Sequence, residues 1–153
     1  MTRILVFSDS HGTVEHMEKT IENMVGVDYI LHLGDHSKDA RYLELVFPEI
    51  EQYCVRGNCD FCAPEPGEVL LEIDGFKIYM THGHDYGVKT RMTDLRSFAE
   101  KNSIDCVLFG HTHIPVCEKI GSVLYLNPGS AKETAGVIEI EDGEIKGCTF
   151  KII

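Results

Sequence analysis

The alternation of secondary-structure periods in the first third most constrains how this chain can fold. Residues 3–8, 29–33 and 51–55 are short strand-like runs. Between the first two, Val14, Met17, Ile21, Met24 and Val25 recur at helical intervals, and Thr13 is placed to cap that helix. Between the second and third, residues 39–47 fit a short helix that Pro48 stops. Strands alternating with helices call for parallel pairing through right-handed crossovers. Open parallel sheets gather their sites just beyond the carboxyl ends of the strands. Asp9, His11, Asp35 and Asn58 all fall there.

The remainder is richer in strands. Residues 69–73 and 76–80 flank Asp74-Gly75, a strong hairpin signal, and the second arm runs into Thr81-His82-Gly83-His84. Leu95, Phe98 and Ala99 place a helix at about residues 90–101. Strands are expected at 105–109, 116–120 and 123–127, and a last hairpin at 135–140 and 144–153 turns at Asp142-Gly143. The chain shows no repeat, low-complexity tract or linker, and its 153 residues suit one domain over 1–153. Two packed sheets with helices outside would bury this many strands.

Charge narrows the partners. The formal net charge is −11, from 25 acids against 14 bases. Such a surface repels a nucleic-acid backbone, whose binding leans on Lys and Arg. Clustered acids are instead suited to bound cations. No apolar stretch approaches the ~20 residues of a membrane span. The run 4–7 is too short for a signal-peptide core and Asp9 soon interrupts it, so a cytoplasmic protein without membrane contact is expected. Of six cysteines, Cys106, Cys117 and Cys148 read as small buried hydrophobes. Cys59 and Cys62 form a C-x-x-C, but Ala63-Pro64-Glu65-Pro66 follows in place of the helix that thioredoxin-like chemistry needs.

Each polar block at a strand end has an ordinary reading. Asp9-Ser10-His11 suits an Asx turn, Gly34-Asp35 and Gly57-Asn58 suit turns, and His82, His111 and His113 suit buried histidines. The series is harder to dismiss, because five successive strand ends carry carboxylate, amide or imidazole. If the chain stays extended past Gly110, His111 and His113 face one point, since residues i and i+2 share a face. Oxygen and nitrogen ligands of this kind suit Mn, Fe, Ni, Co or Zn, and the absence of a required thiolate disfavours a structural zinc cage.

In order, the segments "SDSHG", "HLGD", "VRGNCD", "THGH" and "GHTHIP…NPGS" resemble the calcineurin-like metallophosphoesterase superfamily, and within it the small bacterial and archaeal phosphodiesterase branch. The likeness spans residues 4 to about 132. It implies an α/β fold, a four-layer α/β/β/α sandwich of two mixed sheets flanked by helices. It also implies two divalent metal ions, with manganese the expected one. One would be held by Asp9, His11, a bridging Asp35 and His113, the other by Asp35, Asn58, His82 and His111. Two such ions, about 3.5–4 Å apart, clamp the attacking and leaving oxygens of an in-line displacement, with a metal-bridging hydroxide as nucleophile. The substrate implied is a small phosphodiester, and relatives suggest a homodimer or homotetramer.

Many relatives carry His after the Asn of the G-N block, where this chain has Cys59, as its branch often does. A thiol is a poor hydrogen-bond donor. His84 and His36 are therefore the candidates for the leaving-group proton, beside Asp35 and Asn58 in the catalytic set. Asp60 is expected to orient Asn58 or Cys59. Residues 127–130 either close the site or form a plain Pro-Gly turn, and Arg56 either meets a phosphate or pairs with an acid. The competing function is a non-catalytic protein-binding scaffold, the use to which the eukaryotic retromer subunit puts a similar fold with an eroded site. A DNA nuclease is opposed by the charge and by the lack of added domains.

Overall fold

Successive side chains of a strand face opposite ways, and in the strand Thr2–Phe7 (β1) both faces are apolar. Ile4 and Val6 join one buried cluster while Leu5 and Phe7 join another. A strand buried on both faces belongs in the middle of a sheet that is itself covered on both sides. A computed structural model describes residues 1–152 and shows that arrangement. After β1 come α1 (Val14–Asn23), β2 (Tyr29–His32), α2 (Ser37–Val46) and β3 (Glu51–Cys54). Then follow β4 (Glu68–Ile73), β5 (Phe76–Thr81), a 3-10 turn at His84–Tyr86, and α3 (Thr93–Lys101). The strands β6 (Cys106–Leu108), β7 (Val116–Ile120), β8 (Val123–Asn127), β9 (Thr134–Glu141) and β10 (Glu144–Lys151) complete the chain.

The first sheet has the order β10-β9-β1-β2-β3 and the second β4-β5-β6-β8-β7. Both are mixed. The triplets β1-β2-β3 and β5-β6-β8 run parallel, and the hairpins pair antiparallel. Three apolar clusters define four layers. Ile4, Val6, Leu31, Ile78, Met80, Leu108, Leu126 and Ile138 meet between the sheets. Leu5, Phe7 and Ile30 pack outward on Met17 and Ile21 of α1 and Leu43 of α2. Tyr79, Val107 and Tyr125 pack outward on Leu95 and Ala99 of α3. This is the expected α/β/β/α sandwich.

Local chemistry explains the turns. Asp74-Gly75 and Asp142-Gly143 have φ of 50° and 84°, and of 52° and 73°. Positive φ at both positions is the two-residue hairpin turn whose twist matches that of its strands. Among the described residues, no helix is long and apolar enough to cross a membrane.

Some expectations need correction. The first helix ends at Asn23, and Val25, placed on its apolar face by spacing, is 83% exposed. The chain turns extended at Met24 before Gly26, whose φ is positive. Thr13 precedes that helix but does not cap it; its hydroxyl donates to the Ser10 carbonyl instead. The third helix begins at Thr93, not near residue 90, because a turn through Gly87 comes first. Cys106 is buried as expected, but Cys117 is only half-buried and Cys148 is exposed, lying on the sheet-edge strand β10.

Candidate metal centre

The parallel ladders carry the polar blocks together. Beyond β1 and β2 they continue as Leu33 N–H to the Phe7 carbonyl and Asp9 N–H to the Gly34 carbonyl, each 2.9 Å. In the second sheet, Gly110 N–H reaches the His82 carbonyl at 3.0 Å. Two cross-links then bind the sheets at this end. His111 N–H donates to Asp9 Oδ2 at 3.1 Å, and the His82 ring bonds the Leu33 carbonyl through Nδ1 at 2.8 Å.

The floor is made by Asp9, Asp35 and His82, all buried. Asp9 Oδ2 is engaged by the Ser8 hydroxyl at 2.5 Å as well as by His111 N–H. Its Oδ1 is buried with no hydrogen-bond partner among the described residues, as is His82 Nε2. A carbonyl can only accept, so His82 Nδ1 carries its proton toward Leu33 and leaves Nε2 a bare lone pair. That lone pair lies 3.8 Å from Asp9 Oδ1 and 3.5 Å from Asp35 Oδ2. Three electron-rich atoms converge on one buried point. A proton or a cation is what makes such a meeting tolerable. Burial pushes the His82 pKa down, but the Asp35 and Asp9 carboxylates outweigh it and the net direction is up. Asp35 is held well below the carboxylate range: burial opposes this, but contacts from His82 and the Cys59 N–H win.

The rim is more open. His113 Nε2 stands 3.2 Å from Asp9 Oδ1, without hydrogen-bond geometry, and the rings of His113 and His11 are 5.6 Å apart. Asp9, His11 and His113 form one group able to hold an ion, and Asp9, Asp35 and His82 form a second. Asp9 is thus common to both, whereas the resemblance assigns the shared place to Asp35. His111 stands by His82, ring centroids 5.1 Å apart, and burial first, then the charges of His82 and Lys89, hold its pKa below the ordinary value. Asn58 is exposed beside this cluster, and the next residue, Cys59, donates its N–H to Asp35 Oδ1 at 2.9 Å. His36 flanks His11 at 5.9 Å, and His84 flanks His82 at 5.4 Å with its Nδ1 buried and unpartnered among the described residues. The Cys59 thiol is pushed up by burial and by Asp35.

The backbone here is under strain. Asp9, His11, Asp35, His111 and His113 have φ of 51°, 45°, 58°, 70° and 63°. A left-handed conformation costs an L-residue roughly 1–2 kcal/mol, and it persists only where surrounding contacts dictate it. The chain does not stay extended past Gly110, and left-handed turns send His111 and His113 to different neighbours. The glycines of these blocks permit close approach. A Cβ on Gly34 would sit 2.6 Å from Gly57 N, and one on Gly57 would collide with Asp35 Oδ1.

Asp60 does not orient Asn58 or Cys59 through their side chains. Its two oxygens accept the backbone N–H groups of Asp35, His36, Ser37 and Gly57 at 2.7–2.9 Å, anchoring the Asp35 loop and the start of α2. Burial raises its pKa, but those four bonds prevail and hold it low. Among the described residues Arg56 pairs with no acid; it donates to the Glu65 carbonyl at 3.2 Å. Residues 127–130 tie the site shut. Asn127 Nδ2 donates to the Gly110 carbonyl and Thr112 Oγ1, and the Ser130 hydroxyl donates to the Asp9 carbonyl.

Sequence reasoning missed a buried chain of bonds behind the site. Gly34 N–H donates to His32 Nδ1 at 3.1 Å, which leaves the ring proton on Nε2. Nε2 then donates to Ser10 Oγ at 2.9 Å, and Ser10 donates to Asp39 Oδ2 at 2.7 Å. Asp39 also accepts Gly12 N–H and faces His36. The available signal was a histidine inside an apolar strand.

Comparison with known proteins agrees with this geometry. The calcineurin-like phosphoesterase superfamily domain matches residues 2–142. A probable metallophosphoesterase of Bacillus subtilis, YsnB, is 36% identical over 84% of this chain and 75% of its own length. The phosphodiesterase YfcE of Escherichia coli is 27% identical over 89% of this chain and 83% of its own. A predicted phosphoesterase from Streptococcus pneumoniae superposes with a TM-score of 0.82 at 31% identity, covering 98% of this chain and 89% of that one. The zinc complex of Vps29 from Entamoeba histolytica shares the fold, with a TM-score of 0.79 at 20% identity over 99% of this chain and all of that one. The strand-end polar blocks, the two-sheet sandwich and these likenesses converge: this chain belongs to the calcineurin-like phosphoesterase superfamily.

Proposed function

We propose that this chain is a metal-dependent phosphodiesterase that hydrolyses small phosphodiesters at a dinuclear centre. The observation that carries the reading is the buried meeting of Asp9 Oδ1, Asp35 Oδ2 and His82 Nε2, two of them with no hydrogen-bond partner among the described residues. The residues fit divalent cations of borderline hardness, manganese first. Asp9, His11 and His113 would hold one ion and Asn58, His82 and His111 the other; Asp35 would serve both, as the resemblance implies, and Asp9 belongs to both candidate groups as well. When bound, the pair supplies an activated water and neutralises charge on the phosphoryl oxygens.

The chain's own residues prepare this. The Leu33 carbonyl sets the His82 tautomer so that Nε2 presents its lone pair. Ser8 and His111 N–H occupy one Asp9 oxygen and turn the other into the site. His84, beside His82 and partly exposed, stands where it can pass a proton to the leaving oxygen, a role for which the Cys59 thiol is poorly suited. An acidic protein thus receives an anion through metals and not through a basic groove.

The test is hydrolysis of bis(p-nitrophenyl) phosphate by chelator-stripped protein, titrated with Mn, Ni and Zn. Activity should appear only with metal and vanish in Asp35→Ala. Folded protein that is inactive with every metal would instead favour the scaffold reading.

A further inference from the structure

The loops that carry the histidines also wall a cleft. Its volume is about 490 Å³, within the roughly 300–1,000 Å³ of small-molecule pockets. Its lining is mainly apolar, from Val88, Met92, Phe109, Ile114, Val116 and Tyr125. Its wall includes the segment that follows the His84–Tyr86 turn and the loop that contains His111 and His113. Thr112, between those two histidines in sequence, lines it too. At the cleft stands Lys89, whose charge is felt by His111. Glu118, also lining it, is the one acid in the wall.

The chemistry of the wall suits an occupant that is flat and apolar and attached to an anion. Phe109 and Tyr125 are nearly fully buried and packed in the cluster under α3, so the aromatic part of the lining is held in place, while Ile114 is 64% exposed. A single exposed isoleucine is ordinary on a protein surface. Its place on the loop between the proposed ligand His113 and the cleft is what matters. A phosphodiester has two ester arms. Were its phosphate held at the histidine cluster, the 111–114 loop, which borders the cleft through Thr112 and Ile114, would lead one arm toward it, and Lys89 in the lining would offer a positive charge.

We propose that the cleft is the subsite for one ester group of the substrate and that it selects an aromatic group over a small alkyl one. This rests on the phosphodiesterase reading of the neighbouring metal centre. It also gives a role to Lys89 and Met92 in the loop 84–92, whose sequence follows no general pattern, whereas Val88 is held there by the buried cluster on this side of the sheet.

Two measurements test it. The first compares phenyl p-nitrophenyl phosphate with methyl p-nitrophenyl phosphate, which share a leaving group and differ only in the second ester. The wild type should favour the phenyl ester in kcat/KM, and Ile114→Ser and Met92→Ala should each reduce that ratio by about tenfold, the size of effect expected when part of an apolar pocket is removed. Circular dichroism and thermal midpoints check that the variants are folded. The second follows the methyl resonances of Val88, Met92, Ile114 and Val116 as diphenyl phosphate is added. They should shift, and those of Val88, Met92 and Val116 less so in Ile114→Ser. An unchanged ester ratio in both variants, or shifts confined elsewhere, would overturn the subsite. Shifts that follow protein concentration and ignore diphenyl phosphate would also overturn it, and would mark the cleft as a contact between copies. If the wild type cleaves neither ester with any metal, the phosphodiesterase reading fails. The subsite is then judged by the diphenyl phosphate shifts alone.

Discussion

His32 is expected to make this protein acid-labile in a defined window. Its ring is fully buried between Gly34 N–H and the Ser10 hydroxyl, and the Gly34 contact requires the neutral form, because Nδ1 must accept while Nε2 donates to Ser10. Burial is the main force on it and pushes its pKa down to about 4, against weaker upward pulls from Asp39, Asp9 and Asp60. In the unfolded chain a histidine titrates near 6.5. The folded value lies below the unfolded one, so as pH falls the unfolded chain takes up the proton first. Stability from neutral His32 is therefore whole above about pH 6.5 and is lost as pH drops from there to 4. At about 1.36 kcal/mol per tenfold, the full loss is about 3 kcal/mol, of which about 2 kcal/mol falls between pH 7 and pH 5. A domain stable by some 5–15 kcal/mol will register that. The assay is urea unfolding of metal-free protein, followed by circular dichroism at several pH values, for the wild type and His32→Gln. Glutamine offers an N–H to Ser10 and does not titrate. Asp35, with a depressed pKa, adds a slope of the same sign, and His82, with a raised one, adds the opposite sign. Both are present in the two proteins and cancel in the difference. The wild type should lose about 2 kcal/mol more than the variant over that interval. Parallel pH profiles would refute the argument that His32 is held neutral by burial.

Gly57→Ala places a Cβ against Asp35 Oδ1 and should cost about 1–3 kcal/mol while weakening zinc binding at least about tenfold, measured by calorimetry; unchanged affinity would count against Asp35 as a ligand. Asp60→Ala strips an acceptor from four backbone N–H groups and should lower stability by about 2–3 kcal/mol, with Asp60→Asn recovering part of it in urea unfolding. Cys62→Ser should leave metal-dependent turnover unchanged, since Cys62 is exposed and unbonded; a dependence of activity on reductant that this variant abolishes would revive the thiol reading.

The strands, the helices and the two Asp-Gly hairpins were legible because their causes are local. An apolar alternation or a left-handed turn is written within a few neighbouring residues, as at Asp74-Gly75 and Asp142-Gly143. The polar blocks were legible for a related reason, since parallel strands deliver their carboxyl ends to one edge. What each polar atom meets there was not legible. His111 N–H finds Asp9 across 102 positions, the His82 ring finds the Leu33 carbonyl across 49, and the Ser130 hydroxyl finds the Asp9 carbonyl across 121. Asp60 looked like a neighbour of Asn58 and proved to be the anchor of the loop at Asp35, while Arg56 turned to a carbonyl. The apolar cleft has no signature in the sequence either, because its walls come from segments that spacing alone cannot bring together. Periodicity and turn chemistry therefore determined the layers and the edge where the polar groups collect. Only the tertiary structure decided that Asp9 Oδ1 and His82 Nε2 are left bare, because that depends on long-range hydrogen bonds claiming Asp9 Oδ2 and His82 Nδ1.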